Sequence, residues 1–309
     1  MFDFSRFDSL VQVMEYFTDD SRCRKVIEDS RWGDDVICPY CGHHHCKKGY
    51  RGRYVCPHCH NKFSCLVGTI FENTKVSLRK WFIAIYLISI HKKGISSCQL
   101  SRDIRVTQKT AWYMLHKIRM MFTQKEPLME GEIELDEVYV GGKEYFKHRS
   151  RKSSCTRGRS LIHKTPVFGM MNREGGKVYS IVVPRTDRVT LIPIIRKHCK
   201  EFSTIYTDEF TAYVPLSSLG YDHRVVSHGT KEFVKNFSHT NTIEGYWGHF
   251  KRMISGTYHS ITPRYLQRYV DESAFRWNHR TFSSGRIFRI LMGRSLKTVP
   301  YSAVRSTGI

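Results

Sequence analysis

Glu132 to Val140 reads EIELDEVYV, an alternation of apolar and acidic residues at the period of a β-strand. Asp136 sits mid-strand on the parity of Glu132 and Glu134, opposite Ile133 and Leu135, and the same alternation points Glu137 away from it. An acid inside such a strand needs a partner, because an ionised carboxylate is costly to remove from water. Downstream, further strands are expected at 167–171 and 178–183, flanking the turn-rich NREGGK, and at 203–207 and 223–226. Helices are expected over 191–202, 242–254 and 263–278. The order β-β-β-α-β-α-β-α describes a mixed sheet covered by helices, an α/β fold.

Upstream of Pro127 the pattern changes. Three helix-like stretches fall at 78–90, 97–103 and 107–122, and residues 1–34 carry apolar positions at helical spacing (Leu10, Val11, Val13, Met14, Phe17). Between them, residues 36–70 are rich in Cys, His, Gly and Lys and too poor in apolar side chains to fold without a staple. The expected organisation is a helical leader (1–34), a metal-stapled module (35–70), a helical module (71–126), an α/β domain (127–285) and a tail (286–309). Lys147 to Lys164 forms a basic, Ser-rich loop.

The 309 residues hold 50 Lys and Arg against 28 Asp and Glu, a net charge of +22, which favours a polyanionic partner. An acidic membrane is the weakest candidate. The longest apolar run, Trp81 to Ile90, has ten residues, and a bilayer span needs about 20. The start, MFDFSRFDSL, lacks the basic segment and long apolar stretch of a signal peptide. A cytoplasmic, nucleoid-associated protein with reduced cysteines is therefore expected.

Cys38 and Cys41 (CPYC) and Cys56 and Cys59 (CPHC) form two C-x2-C knuckles separated by 14 residues. Two such knuckles joined by a hairpin make a closed tetrahedral site for structural Zn2+, which supplies folding energy. Nearby His43, His44, His45, His58 and His60 are alternative ligands, but four thiolates complete the shell. In ISSCQLSRDIRVTQKTAWYMLHKIR, Ile95 to Arg119, Thr107 is suited to cap a second helix whose front carries Gln108, Lys109 and Thr110. Ala111, Met114, Leu115 and Ile118 would face the module's core. This is a helix-turn-helix pattern with groove-facing residue types. The bland alternative is a basic three-helix packing unit.

Two further acids stand in settings comparable to that of Asp136. Asp208 follows the strand STIYT at its carboxyl end, where α/β sheets place ligands. Glu244 opens a helix in HTNTIEGYWGHFKR, with Asn241 suited to cap it. Lys251, seven positions on, shares the face of Glu244. Carboxylates from two strands and a helix suit two Mg2+ (or Mn2+) ions, which activate the attacking oxygen and stabilise the leaving oxygen of a phosphodiester. Rival acids are Glu137, Glu209, Asp187, Asp222, Asp271 and Glu272.

These stretches, LDEVYVGGKE, YTDEFTAY, HTNTIEGYWGHFKR and GTYHSITPRYLQRYVDESAFRWNHR together with CPYC/CPHC, resemble the DDE transposases of bacterial insertion sequences, in the Merlin-related, ISXO2-like group. The resemblance covers roughly residues 20–285. It implies a ribonuclease-H-like catalytic domain with Asp136, Asp208 and Glu244 as metal ligands and Lys251 as a phosphate contact. It also implies recognition of double-stranded element ends by the amino-terminal modules, DNA contacts by Lys251 and Arg252, cleavage followed by joining of the 3′-OH to target DNA, and a homo-oligomer on DNA. His239, Asn241 and Trp247 fit the motif, divided between substrate contact and packing. Two other readings stand beside it: a domesticated DNA-binding regulator with an inert core, and a ribonuclease-H-like nuclease that cuts without joining.

The cysteine spacing yields a direct test. Chelation, or Cys38→Ser, should unfold residues 36–70 and weaken DNA binding, and purified protein containing no zinc would refute the ribbon.

Overall fold

The computed structural model describes residues 2–141, 164–226 and 241–296. The basic loop read at Lys147 to Lys164, apart from Lys164, and His239 lie outside these residues. The chain divides into two compact units: one combines residues 2–122 with 281–296, and the other lies within Thr123–Arg280.

The first unit is helical around a small ribbon. α1 (Leu10–Tyr16) opens with a reciprocal cap between Ser9 and Gln12, and α2 (Asp20–Trp32) is capped by Asp19. In the leader, Val13 and Phe17 are buried, whereas Val11 and Met14 remain exposed. Three short strands, β1 (Lys47–Lys48), β2 (Tyr54–Val55) and β3 (Lys62–Phe63), form an antiparallel sheet. The buried cysteines Cys38, Cys46 and Cys56 pack there with Tyr54 and Phe63. α3 (Leu78–Ile90), α4 (Ser97–Asp103) and α5 (Gln108–Arg119) match the expected helices.

The segment expected to be a tail instead begins with a helix, α9 (Ser284–Ser295), whose Phe288 and Leu291 are fully buried. Phe288 closes on Phe4, with ring centroids 5.5 Å apart. Gly285 makes this possible, since a Cβ there would lie 2.2 Å from the Ser5 carbonyl oxygen.

The second unit is a five-stranded mixed sheet of order β6-β5-β4-β7-β8. Its strands are β4 (Glu132–Gly141), β5 (Lys164–Asn172), β6 (Lys177–Val182), β7 (Thr204–Thr207) and β8 (Asp222–Val225). β4, β5 and β6 form an antiparallel meander, while β7 and β8 run parallel to β4. This is the helix-flanked mixed sheet of the ribonuclease-H-like expectation. The first of its helices, α6 (Arg188–His198), is capped by Asp187, whose carboxylate accepts the Thr190 N–H. It ends four residues before the expected boundary at 202. Between β7 and β8 the expected helix is a 3-10 segment, Thr211–Leu219, containing Pro215, which cannot donate an α-helical hydrogen bond.

Both faces of the sheet are covered. Ile133, Leu135, Phe168, Met170 and Ile205 face a core completed by Leu191, Ile195 and Tyr213. Val138, Val167, Met171, Val178 and Val182 face α7 (Asn241–Met253) and α8 (Leu266–Asn278).

The free edge of β6 is closed by carboxamides. Asn278 pairs with both backbone groups of Val178 (2.8 Å each), and Gln124 takes the Ser180 N–H (3.1 Å) and donates to its carbonyl (2.7 Å). Gln267 accepts the Val182 N–H at 2.7 Å. Three side chains thus stand where a sixth strand would pair, which protects an edge that could recruit another chain. Asn278→Ala should cost about 1–3 kcal/mol by leaving two edge groups without protein partners, read as a lowered denaturation midpoint with unchanged m-value. An unchanged midpoint would show that water replaces the amide without loss.

Candidate active site

β4 and β7 pair in parallel as Glu132↔Thr204, Ile133↔Ile205 and Glu134↔Tyr206. Asp136 and Asp208 each lie two residues beyond the last pair, so one register brings them to neighbouring strands, about 4.8 Å apart in spacing, on the same face. That face is the one α7 covers. Opposite Asp136 on β5 stands Gly169, and a Cβ there would meet Trp247 Cζ2 at 2.5 Å. The missing side chain lets Trp247, 3% exposed, lie on the sheet. Trp247 is therefore a packing residue, and it seats α7 directly over the backbone that pairs with Asp136.

α7 buries Ile243, Tyr246, Trp247, Phe250 and Met253 and leaves Glu244, Lys251 and Arg252 exposed. The helix begins at Asn241 itself. In its first turn the Ile243 N–H donates to Glu134 Oε2 at 2.8 Å. Glu134 is fully buried and also accepts from Arg173 Nε at 2.9 Å. Sequence reasoning gave neither Glu134 nor Arg173 a role. The available signal was that Glu134 shares the parity of Asp136. Arg173, in the turn after β5, carried none.

The acids share one electrostatic site. Asp136 is half-buried, and burial pushes its carboxyl up to about 6. The Glu137 N–H, which donates to Asp136 Oδ1 at 2.8 Å, opposes that shift, the charges of Asp208 and Glu244 add to it, and Lys251 opposes it. Asp208 Oδ1 accepts the Phe210 N–H at 3.0 Å. Asp208 from the end of β7 and Glu244 and Lys251 from α7 thus lie close enough to Asp136 on β4 to act on its charge. Their spacing is wider than that of the thiolates: among the described residues, only Cys38, Cys41, Cys56 and Cys59 place three or more ligand atoms all within 4.8 Å of one another.

The rival acids have other occupations. Tyr213 donates its hydroxyl to Glu137 on the opposite face, Asp187 caps α6, and Asp222 pairs with Arg224 at 2.8 Å. Asp271 accepts from Gln124 and Gln267, each at 2.8 Å. Glu272 pairs with Arg276 at 2.7 Å, and Glu209 is exposed.

In the first unit, Cys38 Sγ lies 3.7 Å from Cys59 Sγ and Cys41 Sγ 3.6 Å from Cys56 Sγ. Tetrahedral Zn2+ with Zn–S bonds of about 2.3 Å implies edges of ~3.8 Å, so the four thiolates fit the ion. In the α4–α5 pair, Thr107 caps α5, and Ala111, Met114, Leu115 and Ile118 are buried as expected. Gln108 donates to Ser97 Oγ at 2.8 Å and Thr110 bonds Thr107 at 2.8 Å, while Lys109 is exposed. Lys117 is buried too, donating to the Ile70 carbonyl at 2.8 Å, and burial holds its ammonium below the usual lysine range.

Residues 128–278 match the ISXO2-like transposase domain family, and residues 18–62 match the transposase zinc-ribbon domain family. A protein in transposable element ISH50 of Halobacterium salinarum is 30% identical over 250 residues, covering 77% of this chain and 84% of that protein. A transposase-like protein of Haemophilus influenzae is 34% identical over 108 residues, 35% of this chain and 86% of its own length. Among solved structures, a pre-cleavage Mos1 transpososome is 10% identical with a TM-score of 0.29, covering 68% of this chain and 78% of that one.

The raised carboxyl of Asp136 yields a prediction about stability. In the unfolded chain it ionises near 3.8 and in the folded chain near 6, so ionisation favours unfolding. The penalty is absent below pH 3.8, develops between the two values and is complete above 6, reaching up to about 3 kcal/mol. Metal-free Asp136→Asn should therefore melt above wild type at pH 7, and the gap should shrink towards pH 4. A gap independent of pH would remove the carboxylate as its source.

Proposed function

Because the chain belongs to the ISXO2-like transposase family, we propose that Asp136, Asp208 and Glu244 are its divalent-metal ligands, with Lys251 beside them contacting phosphate. The observation that carries this reading is the convergence of Asp208 and Glu244 on Asp136, whose burial and like-charged neighbours both disfavour ionisation. A cation would relieve that cost, and hard oxygen donors select Mg2+ or Mn2+. Two such ions, when bound, supply activation of the attacking oxygen and charge stabilisation at the leaving oxygen of an in-line displacement.

The residues divide the remaining work. β4 and β7 hold two acids in fixed register. α7 brings Glu244 to the same face and sets Lys251 two turns further on, where its ammonium can fix a substrate phosphate. No protein nucleophile is required: water attacks at the element end, and the freed 3′-OH then attacks target DNA. The front of α5, above all exposed Lys109 with Gln108 and Thr110, contacts element-end DNA, and Arg252 beside Lys251 contacts the backbone. Phosphate contacts set position and base edges set specificity. The zinc is structural and separate from these metals. Two ends held together call for a homo-oligomer on DNA, in the cytoplasm. Among the described residues no helix is long and apolar enough to cross a membrane.

Asp136→Asn, Asp208→Asn and Glu244→Gln should each reduce Mn2+-dependent cleavage of flanking DNA by more than the roughly 10–100-fold of an outer-shell change, with end binding retained. Cleavage at the wild-type rate by any one removes that residue from the site. Scoring joined products in the same assay separates a transposase from a nuclease that only cuts.

A further inference from the structure

Glu134 is the second acid that β4 buries on the face of α7, and it does different work from Asp136. One of its oxygens takes Arg173 Nε at 2.9 Å and the other takes the Ile243 N–H at 2.8 Å. The Arg173 guanidinium lies over the Tyr206 ring, with Cζ 3.5 Å from the centroid, and its Nη1 reaches Glu132 at 3.2 Å. Glu134 itself is fully buried and the Arg173 side chain is 11% exposed.

This network touches every element that carries an acid, next to that acid. Glu134 precedes Asp136 by two residues on one strand face. Tyr206 precedes Asp208 by two on β7. Ile243 immediately precedes Glu244 on α7. We infer that the Glu134–Arg173 pair is the positioning unit of the three acids, fixing the first turn of α7 against β4 and the end of β7. The inference rests on the assignment of those acids to metal binding. A carboxylate suits the task because both oxygens accept, so one group can hold a guanidinium in its plane and a backbone N–H together. The guanidinium in turn offers a flat face to Tyr206 while its edge serves Glu134. Outer-shell groups of this kind orient ligands and tune metal affinity.

The test uses the full-length zinc-loaded protein. Glu134→Gln keeps the shape but replaces one accepting oxygen by a donor, so one of the two contacts is lost. Glu134→Gln/Arg173→Gln removes both charges and leaves no buried ion unpaired. Each is compared with wild type and Asp136→Asn for circular-dichroism melting, Mn2+ binding by electron paramagnetic resonance without DNA, and the half-saturating Mn2+ concentration in cleavage. The expected result is folded variants with Mn2+ affinity weakened roughly 10–100-fold and half-saturation raised to match. Folded variants with wild-type Mn2+ affinity overturn the inference. So does loss of folding in both variants, which would make the network a staple of the sheet. If Asp136→Asn keeps wild-type Mn2+ binding and cleavage, the acid assignment fails and takes this inference with it. If Asp136→Asn loses both while the Glu134 variants match wild type, only the positioning role is lost.

Discussion

A carboxylate cannot leave water without something to replace its hydration, and β4 withdraws two within three residues. Glu134 finds replacement in the protein: a guanidinium and a helix N–H. Asp136 receives one backbone N–H and faces two further acids. The same strand face therefore holds one satisfied acid and one under electrostatic load, and much of the second unit follows from keeping them apart in role. The satisfied acid fastens α7 to the sheet. The loaded one is where a cation gains most by binding.

That arrangement depends on a close approach between helix and sheet. Gly169 removes the side chain that would hold α7 away, and Trp247 fills the space. Burial of Ile243, Tyr246, Phe250 and Met253 on one side of α7 then forces Glu244 and Lys251 onto the other. The hydrophobic stripe of the helix thus aims its charged residues. The opposite face of the sheet is filled by Ile133, Leu135 and Ile205 with α6 and the 3-10 segment, whose Tyr213 donates its hydroxyl to Glu137. The carboxamides along β6 close that edge of the sheet, where uncapped backbone groups would be available to other chains.

The first unit meets a different constraint. Its ribbon has short strands and few apolar side chains, so four thiolates around Zn2+ replace a core. Its helices are held by aromatic contacts that join distant segments: Phe4 from the leader, Phe82 of α3 and Phe288 of α9. Lys117 shows how far burial there departs from residue type, with its ammonium turned inward onto a carbonyl.

Periodicity and spacing are local properties, and what depends on them was readable from the chain alone: the alternation of β4, the two C-x2-C knuckles, the cap Thr107, and the setting of Asp136, Asp208 and Glu244. The fate of a residue that depends on a distant partner was not. Glu134 and Asp136 share type, parity and strand, and nothing nearby separates them. Their difference comes from Arg173, 39 positions away, and Ile243, 109 positions away. The same limit hid the helix at 284–295, whose amphipathic face has meaning only against Phe4 and α3, and the need for Gly169 beneath Trp247. Burial, and with it the cost of charge, is a property of the packed chain, so the division of labour between two identical-looking acids was settled only by folding.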